Sequence, residues 1–233
     1  LSAQFAGLAT IHPLMKDGLF RVPRPVGYDD RSGVLLMEDA WGMAAQTLWL
    51  NGGPAAQRTL TAAGGWLARY HRLSASTAAF NPNPHLNWLR KSLSAHHEGR
   101  RLIPQMQDLT AHLPQIESLA ESAGAVTSVR CVTHRDFHLR NLLIRKHGRT
   151  YGIDMENAGR DDALRDLMFF LTDLARSSLQ DPTPAALQSN AGKLRLAYGR
   201  SPADAPARLF FQRCFALNLW AALDQSSAPW SAR

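Results

Sequence analysis

Apolar residues recur at helical spacing over several long stretches of this chain and at strand spacing over shorter ones. Residues 1–15 place Phe5, Leu8, Ile11 and Met15 near one helical face. Pro23 and Pro25 then force extended backbone, so residues 22–28 read as a strand. Asp29 to Gly33 is a turn sequence, and Val34 to Met37 reads as a second, fully apolar strand. Downstream the pattern turns helical. Residues 59–73 put Leu60, Ala63, Leu67 and Tyr70 on one face. Gly64 and Gly65 inside that helix cost about 1 kcal/mol each against Ala, which points to close packing of a neighbouring helix. Asn81-Pro82-Asn83-Pro84 marks a loop. Leu109, Leu113, Ile116 and Leu119 form another stripe, interrupted by Pro114, and residues 129–133 are a short β run. Residues 162–174 predict a helix beginning near Asp161, and Pro182 and Pro184 end that region. Two closing helices are predicted over 184–198 and 205–223, with Phe210, Phe211, Phe215, Leu219 and Trp220 in the core. No apolar run approaches the roughly 18 residues that span a membrane.

The stretch from Thr133 to Asp154, THRDFHLRNLLIRKHGRTYGID, organises the rest. Leu142 to Ile144 and Thr150 to Ile153 are β-prone, with a basic, glycine-containing segment between them, so a hairpin is predicted. A turn centred between His147 and Gly148 leaves Asn141 and Asp154 equally far from the centre. An antiparallel pairing then returns both side chains to the same open end. Asp136 lies in the loop entering the first strand. Two acids and an amide oxygen at one hairpin mouth suit Mg²⁺, which takes hard oxygen ligands and leaves part of its shell to phosphates and water.

His134-Arg135-Asp136, with Asn141 five residues after the Asp, resembles the catalytic loop of kinases, and Asp154 across the hairpin resembles its metal partner. His138, the run Ile153-Asp154-Met155-Glu156 and the pair Asp166-Leu167 narrow the likeness. On these residues the chain resembles the aminoglycoside phosphotransferase and choline kinase family. The resemblance is strong over 131–175, fair over 19–73 and weak elsewhere. One departure is Arg135, where many relatives have Gly. The resemblance implies an α+β, protein-kinase-like two-lobed fold. A residual small lobe and hinge would occupy residues 1–40, and a mainly helical large lobe residues 41–233. It implies transfer of the ATP γ-phosphoryl group to a small-molecule hydroxyl. In that reading Asp136 accepts the hydroxyl proton, Asn141 and Asp154 hold Mg²⁺, and Asp166 braces the catalytic loop. Met37 lines the adenine pocket, the Glu38 carbonyl accepts from the adenine amino group, and the Ala40 amide donates to the ring. Family members also carry a phosphate-covering glycine loop and a strand Lys. This sequence has no G-x-G-x-x-G, and Lys16, which alone precedes the hinge, reads as a surface residue. Residues 1–233 are therefore expected to be a truncated chain that binds Mg-ATP weakly, transfers little phosphate and self-associates through the uncovered small lobe. The alternative is a non-catalytic nucleotide- or ligand-binding module.

Charge and composition narrow the partners. The formal net charge is +7, yet the arginines are scattered and no aromatic ladder interleaves them, so a nucleic-acid partner is not expected. Cys131 and Cys214 lie far apart without metal spacing, and they fit a reducing cytoplasm. His12 and His71 read as packing residues, and the His96-His97 pair diverges on a helix. Glu156, Asp161 and Asp162 could supply the local acidity that a polycation would need, and Asp161-Asp162 reads equally as a helix start. A neutral sugar or amino-sugar hydroxyl is the favoured acceptor.

Overall fold

The structure is a computed structural model describing residues 2–177, 184–199 and 205–221. Pro182, Leu223 and the side chain of Leu219 fall outside the described residues. In chain order the elements are α1 (Ser2–Met15), β1 (Phe20–Arg21), β2 (Pro25–Asp29), β3 (Val34–Met37), β4 (Met43–Ala44), α2 (Ala45–Leu50), α3 (Gly53–Arg72) and β5 (Ser76–Ala79). Then come α4 (Asn83–His97), α5 (Met106–Ala111), α6 (Leu113–Gly124), β6 (Thr127–Thr133), β7 (Leu142–Ile144), β8 (Thr150–Gly152), β9 (Gly159–Asp162), α7 (Leu164–Ser177), α8 (Pro184–Tyr198) and α9 (Ala205–Ala221). They form two compact units, Leu1–Thr77 with Val129–Pro202, and Ala78–Ser128 with Ala203–Arg233. The stretch 38–40, expected as a hinge, lies within the first unit.

The first unit is built on the predicted hairpin. β7 and β8 pair antiparallel, β4 adds to β7, and β1 adds parallel to β8. α3 lies against this sheet. Its predicted face is right: Leu60, Ala63, Leu67 and Tyr70 are buried, together with Trp66. The paired glycines have the packing reason expected of them. A Cβ on Gly64 would lie 2.6 Å from the Leu194 carbonyl oxygen and 2.7 Å from the Ala197 Cβ on α8, while Gly65 faces the Phe20 ring. Absence of a side chain lets α3 and α8 approach, which offsets the helix-propensity cost.

Two boundaries are corrected here, and one expectation holds. The strand predicted over 22–28 is β2, Pro25–Asp29, and Val22 is buried ahead of it. Val34–Met37 is a strand, paired among the described residues with β2 alone in a two-stranded sheet. Val34, Leu36 and Met37 are exposed there, as expected of an uncovered small lobe. The helix predicted from Asp161 begins at Leu164, because Gly159–Asp162 pairs with β6 as β9. Asp162 still marks the helix start, since its Oδ1 accepts from the Leu164 N–H at 2.8 Å.

The second unit holds α4, α5, α6 and α9. Phe210 and Phe211 are fully buried, Phe215 nearly so, and Phe80 and His85 pack edge-on against Phe211. Trp220 is only partly buried, its indole N–H donating to the Pro104 carbonyl at 2.9 Å. The stripe around Pro114 is two helices rather than one. Pro114 sits in the first turn of α6, where a missing N–H costs nothing.

Candidate active site

The catalytic-loop segment, residues 134–141, runs from β6 into β7 and is tied down at both ends from α7. Asp166, Phe170 and Asp173 are spaced four and seven residues along that helix and are all buried, as one face of a helix requires. The Asp166 carboxylate accepts from the His134 N–H at 2.7 Å, the Arg135 N–H at 2.9 Å and His71 Nε2 at 2.9 Å. Burial by itself would raise its pKa. The hydrogen bond and charge of His71, with the His134 contacts, outweigh that and hold the carboxyl below the ordinary Asp range. Asp173 holds the other end, accepting from the Leu139 N–H at 3.0 Å while Arg176 neutralises it at 2.8 Å.

His71 is therefore not simple packing. Its Nε2 lies 2.9 Å from the Asp166 carboxylate and its Nδ1 lies 3.0 Å from the Tyr198 hydroxyl. Burial raises the Tyr198 pKa, so its hydroxyl stays protonated. His134 is fully buried, as expected of a loop-packing residue. Its Nε2 donates to the Ile153 carbonyl at 2.8 Å and Nδ1 has no partner among the described residues, the pattern of a neutral ring. Desolvation pushes its pKa down, against the nearby charges of Asp166, Asp136 and Asp154 and its bond to the Ile153 carbonyl. Trp66 stacks on Phe137 at 5.2 Å and meets the His134 ring edge-on at 6.0 Å. This gives the loop an apolar floor.

Arg135 takes φ +67°, the left-handed region that costs an L-residue roughly 1–2 kcal/mol. The conformation is the one a Gly would take without strain. Its guanidinium donates to the Arg160 carbonyl at 3.1 Å and approaches Asp161 at 4.0 Å. Gly159 makes room for it, since a Cβ there would lie 2.6 Å from the Arg135 Cζ.

The turn that joins β7 to β8 differs from expectation by one residue. Leu142 pairs with Gly152 and Ile144 with Thr150, so the centre is His147. The Arg145 N–H donates to the Arg149 carbonyl at 2.8 Å, closing a three-residue loop in which His147 and Gly148 have φ +74° and +83°. Three-residue hairpin loops use such left-handed residues. Asn141 thus faces Ile153, whose N–H donates to the Asn141 carbonyl at 3.0 Å. Asp154 follows directly, at φ +65°. The strict alternation that would have placed Asn141 and Asp154 side by side ends at this residue. Even so, Asp136 and Asp154 both act electrostatically on the one buried His134 ring.

The Asp136 carboxylate is one-third exposed and has no hydrogen-bond partner among the described residues. His138 Nε2 approaches it at 3.7 Å, beyond hydrogen-bond length. The Asp136 carbonyl accepts from Asn141 Nδ2 at 3.0 Å, which commits the amide nitrogen and leaves Oδ1 without a partner among the described residues. Among the described residues no group of three or more His, Cys, Asp or Glu could hold a metal alone. An amide oxygen and a carboxylate fit instead a hard cation whose remaining ligands come from phosphates and water. Glu38 is fixed at the end of β3, its N–H donating to the Arg24 carbonyl at 2.8 Å and its Oε2 accepting from the Arg24 N–H at 3.1 Å. The Glu38 carbonyl and Ala40 N–H have no partner among the described residues, and Met37 is 40% exposed beside them.

The model of the phosphotransferase enzyme family matches residues 6–209. The chain belongs to that family. A comparison with curated protein sequences returns no match. Solved structures give the fold. An aminoglycoside phosphotransferase of Streptomyces rimosus, in complex with ADP and streptomycin, shares 16% identity at TM-score 0.62, over 93% of this chain and 81% of its own. A choline/ethanolamine kinase family protein of Mesorhizobium loti shares 18% at TM-score 0.62, over 100% and 74%. A glucosamine kinase in complex with glucosamine, ADP and inorganic phosphate shares 17% at TM-score 0.58, over 94% of this chain and 62% of its own. The family and the kinase-like α+β fold stand as the catalytic-loop residues implied. Sequence reading missed Asp173, Trp66 and the bond from His71 to Asp166. The seven-residue spacing of Asp166 and Asp173 was the one available signal for Asp173.

Proposed function

We propose that this chain is an ATP-dependent phosphotransferase acting on a hydroxyl of a small molecule, a sugar, amino sugar or amino alcohol. The observation that carries the reading is the part-exposed Asp136 carboxylate, which His138 approaches at 3.7 Å without a hydrogen bond, on a loop held at both ends by buried carboxylates. A proton acceptor must be accessible to substrate yet fixed in place, and the two bracing aspartates hold the backbone on either side of it. Asp136 orients the acceptor hydroxyl and takes its proton. Asn141 Oδ1 and the Asp154 carboxylate are the residues that would hold Mg²⁺, which neutralises phosphate charge when bound. The Glu38 carbonyl and Ala40 amide offer the adenine an acceptor and a donor, with Met37 alongside.

The surroundings favour a neutral sugar or amino sugar over a polycation. Asp161 is engaged with Arg165 at 3.4 Å and Arg135 at 4.0 Å, and Asp162 is buried at the start of α7. Neither is available to attract a polyamine, so Glu156 is left as the exposed acid of that segment. The test is transfer of radiolabelled γ-phosphate over a panel of sugars, amino sugars and amino alcohols. Turnover is expected on at least one of the sugars or amino sugars. Asp136→Asn lowers it by roughly 10²–10⁴ with nucleotide affinity little changed. A variant that keeps near-normal turnover removes Asp136 from the reaction.

A further inference from the structure

A cavity of about 1080 Å³ opens at the turn end of the β7–β8 hairpin. That is slightly above the usual range for small-molecule sites, roughly 300–1,000 Å³. β7 is three residues long, about 10 Å at strand rise. It separates this cavity from Asn141 at the catalytic end. Its walls include Trp41 and Met43 at one side, Leu48 on α2, Arg58 on α3, and Arg145 and Lys146 on the hairpin turn.

Two features of these walls need a ligand to make sense of them. The first is uncompensated charge. Residues 40–97 and 137–153, which supply every wall of the cavity, contain no Asp or Glu. Arg58, Arg145 and Lys146 form no ion pair with any described residue. Cations gathered round a low-dielectric cleft, with no acid in the segments that form it, focus a positive potential into it. The second is exposed apolar surface. Trp41 is 65% exposed and Met43 48%, both at the rim. A bare inorganic anion would leave that surface wet, and a neutral ring would leave the cations unanswered.

We propose that this cavity binds a small aromatic anion, a carboxylate or sulfonate carried on a flat ring system. The ring covers Trp41 and Met43, and the anionic group meets Arg58, Arg145 and Lys146. The site is separate from the nucleotide and metal site proposed above.

Calorimetry on the whole chain at low ionic strength tests this with three probes: naphthalene-2-sulfonate, the neutral naphthalene-2-sulfonamide, and inorganic sulfate. The sulfonate is expected to bind about tenfold tighter than either of the others, the scale of one charge-assisted contact. The double substitution Arg58→Gln with Lys146→Gln brings the sulfonate down to the level of the sulfonamide. Trp41→Ala weakens both aromatic probes and leaves sulfate unchanged. Equal affinity for sulfonate and sulfonamide overturns the proposal, as does sulfate binding as tightly as the sulfonate, or no effect of the double substitution. Asp154→Ala distinguishes the two sites. It is expected to leave sulfonate affinity unchanged, and Mg-ADP is expected not to displace the probe. Displacement by Mg-ADP would put the probe in the nucleotide site and refute a separate one.

Discussion

Replacing Asp166 by Asn keeps the shape of the side chain and removes its charge. The structure allows the cost to be worked out. Oδ2 accepts from both His71 Nε2 and the His134 N–H, and Oδ1 from the Arg135 N–H. An amide oxygen can take the place of Oδ2, but the amide nitrogen then points one donor at another, the Arg135 N–H. That leaves a buried donor unsatisfied, at roughly 1–3 kcal/mol, and turns two charge-assisted bonds into neutral ones at about 1 kcal/mol each. Relief of the desolvation of a fully buried carboxylate takes some of this back. The net expectation is a loss of about 3 kcal/mol, a large share of the 5–15 kcal/mol typical of a folded protein. Urea unfolding at pH 7 measures it. The loss should shrink at acid pH, because the wild-type carboxylate is itself then protonated. The same substitution frees Arg135 from the contact that helps keep it at φ +67°, so turnover should fall while nucleotide affinity holds. A variant within 1 kcal/mol of wild type at pH 7 would refute the claim that Asp166 braces the catalytic loop.

Two further outcomes follow, one from burial and one from exposure. His134 has a lowered pKa, so below its ordinary value of about 6.5 the unfolded chain binds a proton that the folded chain resists. Stability should therefore be full above about pH 6.5 and fall as pH drops below it, and His134→Gln should flatten that slope; urea midpoints that stay level or rise from pH 7 to 5 would contradict this. The exposed edge formed by Val34, Leu36 and Met37 on a two-stranded sheet should drive self-association, since such pairs are marginal alone and open edges recruit strands; Leu36→Lys should lower light scattering at a given concentration, and an unchanged signal would exclude this edge as the contact.

Much of this architecture was legible in the residues. The α3 face, its glycine pair and the hairpin follow from periodicity and turn chemistry, because each depends on neighbours in sequence. The one-residue offset in the hairpin was not legible. It depends on His147 adopting a left-handed conformation, which lengthens the loop from two residues to three and moves Asn141 opposite Ile153. His71 looked like a packing residue because its partners, Asp166 and Tyr198, lie 95 and 127 positions away. The acid and metal candidates could be named together because they fall within one short stretch, 134–154. The groups that position them come from α3, α7 and α8.

The central claim is that Asn141 and Asp154 share a divalent cation with nucleotide phosphates, and ADP affinity with and without Mg²⁺, measured by calorimetry, tests it most directly. Mg²⁺ should tighten ADP binding to the wild-type chain, and Asp154→Ala should abolish that gain while leaving the metal-free affinity nearly unchanged. Equal affinity with and without Mg²⁺, or a gain that survives Asp154→Ala, would contradict the account.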